Sequence, residues 1–152
     1  MTEKYMQIAI EQAKQAGIAG ESPVGAVIAA DGVVISRAYN LRESRQSAVA
    51  HAELLAIERA CEITESWRLP GTQIYVTLEP CPMCMGAIIN ARIDRVVFGA
   101  YDPKSGAAGS VLNLNDYPLN HKPEIVGGVL ETECGALLTE FFKKIRKLER
   151  DC

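Results

Sequence analysis

The chain lacks any long apolar run: nowhere do the ~18 consecutive apolar residues of a membrane span occur. Its opening stretch, MTEKYMQIAIEQAKQAG, carries charges throughout, so the apolar core of an export signal is missing too. Basic residues do not dominate: 16 Lys and Arg stand against 19 Asp and Glu, for a net charge of −3. That balance removes any global electrostatic case for a nucleic-acid partner and leaves only a local patch to make one. No repeat, low-complexity segment or linker interrupts the 152 residues, which is the length of one domain. At this size a chain buries roughly 70% of its unfolded surface and folds without covalent staples. The five cysteines (61, 81, 84, 134 and 152) are an odd number without an export signal. They point to a reducing compartment, the cytoplasm, where closely spaced cysteines serve metals or redox chemistry more often than bridges.

Histidine is scarce. There are two, and one of them, His51, opens HAE at residues 51–53, thirty positions before Cys81 in PCPMC at residues 80–84. Around these motifs the periodicities define elements. Met6, Ala9, Ile10 and Ala13 recur at helical spacing, with Gly17 as the expected stop. VGAVIAA and VVISRAY flank Asp31-Gly32, which predicts a hairpin with a type I′ turn. AHAELLAIERACEI reads as a helix, TQIYVTL as a buried strand, 83–92 as a helix and RVVFGA as a second buried strand. That strand, helix, strand spacing is a right-handed βαβ unit with parallel strands. A weaker strand over 124–130 and a long helix over 131–148 follow GAAGS. Together these imply an α/β fold, a mixed five-stranded sheet with helices on both faces.

His51, Cys81 and Cys84 supply the three protein ligands of a catalytic zinc with one open position. Cys81 and Cys84, three apart at a helix start, can turn both sulfurs to one ion, and Pro82 suits the first turn. The helix N-terminus favours thiolate. His51 and Glu53 lie about 200° apart around a regular helix. They reach a common site only at the helix end, so two helix N-termini are expected to converge on the metal. Two thiolates cancel the zinc charge and blunt its effect on bound water, which gives Glu53 a task as proton acceptor. This is hydrolytic chemistry at an sp² carbon. A C-x-x-C alone would equally suit a redox site, and a structural zinc would recruit a fourth ligand such as Glu53. Cys61 and Cys134 fall in helical patterns as small core residues, Cys152 as a tail thiol, and His121 as a loop histidine with a structural hydrogen bond.

HAE with PCPMC matches the H-x-E…P-C-x-x-C signature of zinc nucleobase deaminases. Over about residues 4–148 the chain resembles the bacterial tRNA-specific adenosine deaminases, in SPVGAV, AYNLRE, AHAELLAI, WRL, YVTLEPCPMCMGAIINARIDRVVFGA, DPKSGAAGS, NH and FFKKIR. The resemblance implies a three-layer α/β/α cytidine-deaminase-like fold, a homodimer, and conversion of the anticodon wobble adenosine to inosine. It implies zinc on His51, Cys81 and Cys84, proton transfer by Glu53, and a hydrogen bond from Asn40 to the flipped base. Arg42, Arg68, Asp102, Lys104, Asn120, Phe142 and Arg146 fall where similar enzymes contact the anticodon stem-loop. Residues 140–151 carry a local +2, a plausible phosphate-tracking surface beside such a pocket, and one of Phe141 and Phe142 could stack on a base. The zinc chemistry alone leaves the base open, so deamination of free guanine or another small nucleobase stands as the alternative.

Overall fold

A computed structural model describes residues 2–151; Met1 and Cys152 lie outside them, and with Cys152 the reading of it as a tail thiol. Helix α1 (Thr2–Ile18) precedes the hairpin of β1 (Gly25–Ala30) and β2 (Val33–Tyr39). A short helix α2 (Arg42–Arg45) leads to α3 (Ala52–Thr64), then to β3 (Gln73–Leu78), α4 (Pro82–Asn90) and β4 (Arg95–Ala100). A 3₁₀ turn (Leu114–Asp116), β5 (Glu124–Val126) and α5 (Glu131–Asp151) complete the chain.

The sheet order is β2-β1-β3-β4-β5. The β1 strand pairs antiparallel with β2 and β3, whereas β3, β4 and β5 run parallel, so the sheet is mixed as expected. Asp31 and Gly32 both take positive φ (52° and 79°), as the type I′ turn requires. Gly17 does not stop α1. The helix continues to Ile18 and ends at Gly20, whose φ of 82° allows a Schellman closure: Glu21 N–H reaches Ala16 C=O and Gly20 N–H reaches Gly17 C=O. A glycine within the last turn is tolerated; only the one at the left-handed position terminates. The 124–130 strand shortens to three residues, because Gly127 and Gly128 leave the ladder.

Alternation along the strands divides the apolar residues into two layers. Ile28, Ile74, Val76 and Phe98 face α3 and α4, with Leu55, Ala56, Met85 and Ile88 across from them. Val27, Tyr75 and Val97 face the other way, against Tyr5, Met6, Ala9 and Ile10 of α1 and Cys134 of α5. Each fully buried Val, Ile or Phe contributes about 1.5–3 kcal/mol. Cys134 is a core residue, as its spacing suggested; Cys61 is only half-buried, at the border of the α3 layer. The β-α-β order gives the sheet two unlike ends. Ser22 to Val24 before β1, Asn40 after β2, Glu79 after β3 and Tyr101 after β4 all emerge at one end, where α3 and α4 also begin.

Candidate active site and metal centre

His51 is the N-cap of α3 and Cys81 the N-cap of α4, both with extended backbone, and Pro82 occupies the first turn. The two helix starts therefore meet at the same end of the sheet. His51 Nδ1 lies 3.8 Å from Cys81 Sγ and 3.5 Å from Cys84 Sγ. The three donor atoms all fall within 4.8 Å of one another, a cluster that could hold a metal ion. Cys84 is fully buried, whereas His51 and Cys81 are half-buried and open toward a pocket.

Glu53, in the first turn of α3, is 4% exposed and has its carboxyl beside the Cys84 sulfur. Burial pushes that carboxyl up to about 7. The hydrogen bond from the Cys84 thiol outweighs burial and, with the bond to His51, holds Cys81 down to about 4. Cys84 is driven far upward, first by Cys81, then by burial and the Glu53 charge. His51 is raised by its bond to Cys81. Three potential anions thus crowd one imidazole in a water-poor site, and a dication is the natural complement to that set.

With Cys84 buried behind them, His51, Glu53 and Cys81 line a pocket of about 180 Å³ together with Ser22, Val24, Asn40, Arg42, Leu78, Glu79, Asp102 and Ser105. Its volume is below the ~300–1,000 Å³ of drug-sized sites, which suits one small flat group. Asn40 is 7% exposed and fixed by Arg42 N–H, which donates to its Oδ1 at 3.0 Å. Ser22, Val24, Arg42, Leu78, Asp102 and Ser105 also border a wider groove of about 760 Å³, completed by Tyr101, Pro103, Lys104, Leu138, Thr139, Phe142 and Arg146. Phe142 is 44% exposed and stands edge-on to the half-buried Phe141.

The fold thus brings Asn40, Arg42, Asp102, Lys104, Phe142 and Arg146 to one pocket and groove. It does not bring Arg68 or Asn120 there. Arg68 lies beyond the C-terminus of α3, with its guanidinium 4.7 Å from the Trp67 ring centre. Leu69 N–H next to it bonds the Ala91 carbonyl, past the end of α4. The 13-residue α3 alone separates Arg68 from His51 by about 20 Å. Asn120 is exposed, next to His121, whose Nε2–H donates to the Ile93 carbonyl before β4 begins. That bond is the structural role expected of His121.

Two buried acids at this end, Glu21 and Glu79, escaped the reading of the motifs. An acid directly after the apolar strand IYVTL was the available signal, because a charge at that position must be satisfied by something.

Residues 1–146 match the family described as MafB19-like deaminases. The tRNA-specific adenosine deaminase of Bacillus subtilis (strain 168) is 51% identical over 97% of this chain and 92% of its own length. That of Aquifex aeolicus (strain VF5) is 46% identical over 95% of both. A solved structure from work on A-to-I editing by tRNA:A34 deaminases at the wobble position superposes with a TM-score of 0.87, at 43% identity, over 89% of this chain and 99% of that one. The expected cytidine-deaminase-like architecture is therefore the one observed, and this chain belongs to the MafB19-like deaminases and, among them, to the tRNA-specific adenosine deaminases.

Proposed function

We propose that residues 1–152 form one zinc-dependent deaminase domain that converts adenosine to inosine at the wobble position of a tRNA anticodon. The observation that carries this reading is a buried carboxyl, Glu53, beside a His/Cys/Cys donor set at the floor of a pocket sized for a base.

The donor set fits zinc. A tetrahedral centre with zinc–nitrogen bonds of ~2.0–2.1 Å and zinc–sulfur bonds of ~2.3 Å separates nitrogen from sulfur by about 3.6 Å. The measured separations are 3.5 and 3.8 Å. His51, Cys81 and Cys84 would hold the ion, one per chain, leaving one position open. When bound, zinc supplies the Lewis acidity that makes water nucleophilic near neutral pH. Glu53 takes the proton from that water as the oxygen bonds to C6 of adenine. The same carboxyl would give that proton to N1, take the remaining proton of the new C6 hydroxyl and pass it to the exocyclic nitrogen; the C6–N bond breaks as the carbonyl forms, and ammonia departs. Asn40, held by Arg42 N–H, positions the base edge.

The pocket accommodates a base, and selection of an RNA falls to the groove outside it. Arg42, Lys104 and Arg146 are exposed cations along that groove, Asp102 sits where groove and pocket meet, and Phe142 offers a face for stacking. A loop base is already unstacked, so flipping it into the pocket costs little. Arg68 and Asn120 are too far from this groove to line it in the same chain. We assign them to a homodimer, in which each copy lends them to the RNA held by the other. The enzyme works in the cytoplasm, where unpaired cysteines persist.

A stem-loop bearing adenosine at the wobble position should be deaminated, and Glu53→Ala should slow this by about 10²–10⁴-fold while retaining zinc. Retention of full activity by Glu53→Ala would overturn the assignment.

A further inference from the structure

Glu79 lies between the end of β3 and the start of the Cys81 helix, and the chemistry above makes no use of it. It is 2% exposed, and among the described residues no cation pairs with it. The hydrogen bonds of its carboxylate all go to one segment, the loop that leaves β4. Oε1 accepts from Asp102 N–H at 3.1 Å and from the Ser110 hydroxyl. Oε2 accepts from Ala108 N–H at 3.1 Å and Ser110 N–H at 3.0 Å. A Cβ at Gly106 would lie 2.4 Å from the carboxylate carbon, so the loop closes on the acid at a glycine. A buried charge without a counter-ion is tolerated only when fully hydrogen-bonded. The loop must therefore keep this shape as long as the carboxylate is there.

The first residue so held, Asp102, borders both the inner pocket and the outer groove. Its own carboxylate accepts from Lys104 N–H at 3.0 Å, Ser105 N–H at 3.2 Å and the Ser105 hydroxyl at 2.9 Å. Glu79 fixes the backbone of Asp102, and Asp102 fixes the turn that carries Lys104. The opposite wall is built the same way. Glu21, fully buried, accepts from Glu43 N–H at 2.9 Å, Ser44 N–H at 2.6 Å and the Ser44 hydroxyl, directly after Arg42.

We propose that Glu79 is a positioning residue for the substrate: through its bond to Asp102 N–H it sets the wall that holds the nucleotides beside the reacting base. This rests on the RNA reading above. Glu79→Gln isolates the bond. A glutamine offers one acceptor oxygen, which belongs at Oε2, where two N–H groups converge. Its amide nitrogen then faces Asp102 N–H, donor against donor, whereas the Ser110 hydroxyl can reverse and accept.

Two measurements test the assignment. Hydrogen exchange should show the Asp102 amide losing protection by about tenfold, the scale of one buried hydrogen bond, with Ala108 and Ser110 amides still protected. In turnover of the stem-loop, KM should rise about tenfold with kcat and zinc content unchanged, the mark of lost binding and not of lost chemistry. Ser110→Ala removes only the hydroxyl contact and should leave KM as it was. A fall in kcat at constant KM, or loss of zinc, would make Glu79 a brace for the Cys81 helix and overturn the proposal. So would an Asp102 amide that stays protected, or one released with no change in KM. Exchange is read without substrate. A wild-type enzyme that ignores the stem-loop therefore overturns the RNA reading by a separate result.

Discussion

Arg42 and Arg68 are both exposed arginines beside helix ends, yet one borders a pocket of fixed donors and the other lies against Trp67. The end of the sheet that carries Arg42 gathers two helix N-termini, two thiols, a histidine and three buried carboxyls. The opposite end carries Trp67 between Arg68 and Arg92, plus the His121 bond to Ile93. The difference lies in the peptide dipoles. Helix starts present unpaired N–H groups and partial positive charge, which stabilise thiolates and accommodate acids. Helix ends present carbonyls, which suit arginines: Arg92 donates to the carbonyls of Ile89 and Asn90. The donor set and the pocket both lie at the first end.

The sharpest way to break this contrast is at the metal donors. Cys81→Ser or Cys84→Ser should drop zinc from about one per chain to near zero by elemental analysis, with activity falling to background. Next is Glu53→Ala, which should keep its zinc and lose about 10²–10⁴-fold in kcat, the usual scale of a general acid–base group. A variant inactive because it had lost zinc would make Glu53 a ligand. Smaller still is Arg146→Ala. Single-strand contacts carry a salt slope of about 0.7 each, so this variant should raise KM about tenfold and flatten the salt dependence by one such step.

The smallest effect is expected at the far end. Arg68→Ala should raise KM by about threefold, within the range of one exposed phosphate contact. Mixing that chain with a large excess of Glu53→Ala chains should restore the wild-type KM, because nearly every live site then faces a partner with Arg68 intact. A KM that stays high in the mixture would place Arg68 in cis and contradict the dimer arrangement.

Much of the site could be read from the sequence because the donors sit at short fixed spacings. Cys81 and Cys84 are three apart on a helix start, and His51 and Glu53 share another, so local geometry alone nearly assembles them. The strands could be read because their alternation is undisturbed between two apolar layers. Glu79 and Glu21 could not be read this way, because the partners that explain them are backbone amides 22 to 31 residues away, in the loop after β4 for Glu79 and in the short helix α2 for Glu21. Backbone donors carry no residue signature. Gly17 misled for a related reason: helix termination depends on which residue adopts positive φ, and composition does not reveal φ. Arg68 and Asn120 came from resemblance alone, and nothing local in the sequence fixes their place.

The most direct test of the account is inosine formation in an anticodon stem-loop with adenosine at the wobble position, measured against free adenine, guanine and cytidine at two salt concentrations. The account predicts rapid conversion of the stem-loop that weakens with salt, and little turnover of any free base. Efficient turnover of free guanine with an unchanged stem-loop would contradict it, and the pocket would then be that of a small-molecule deaminase.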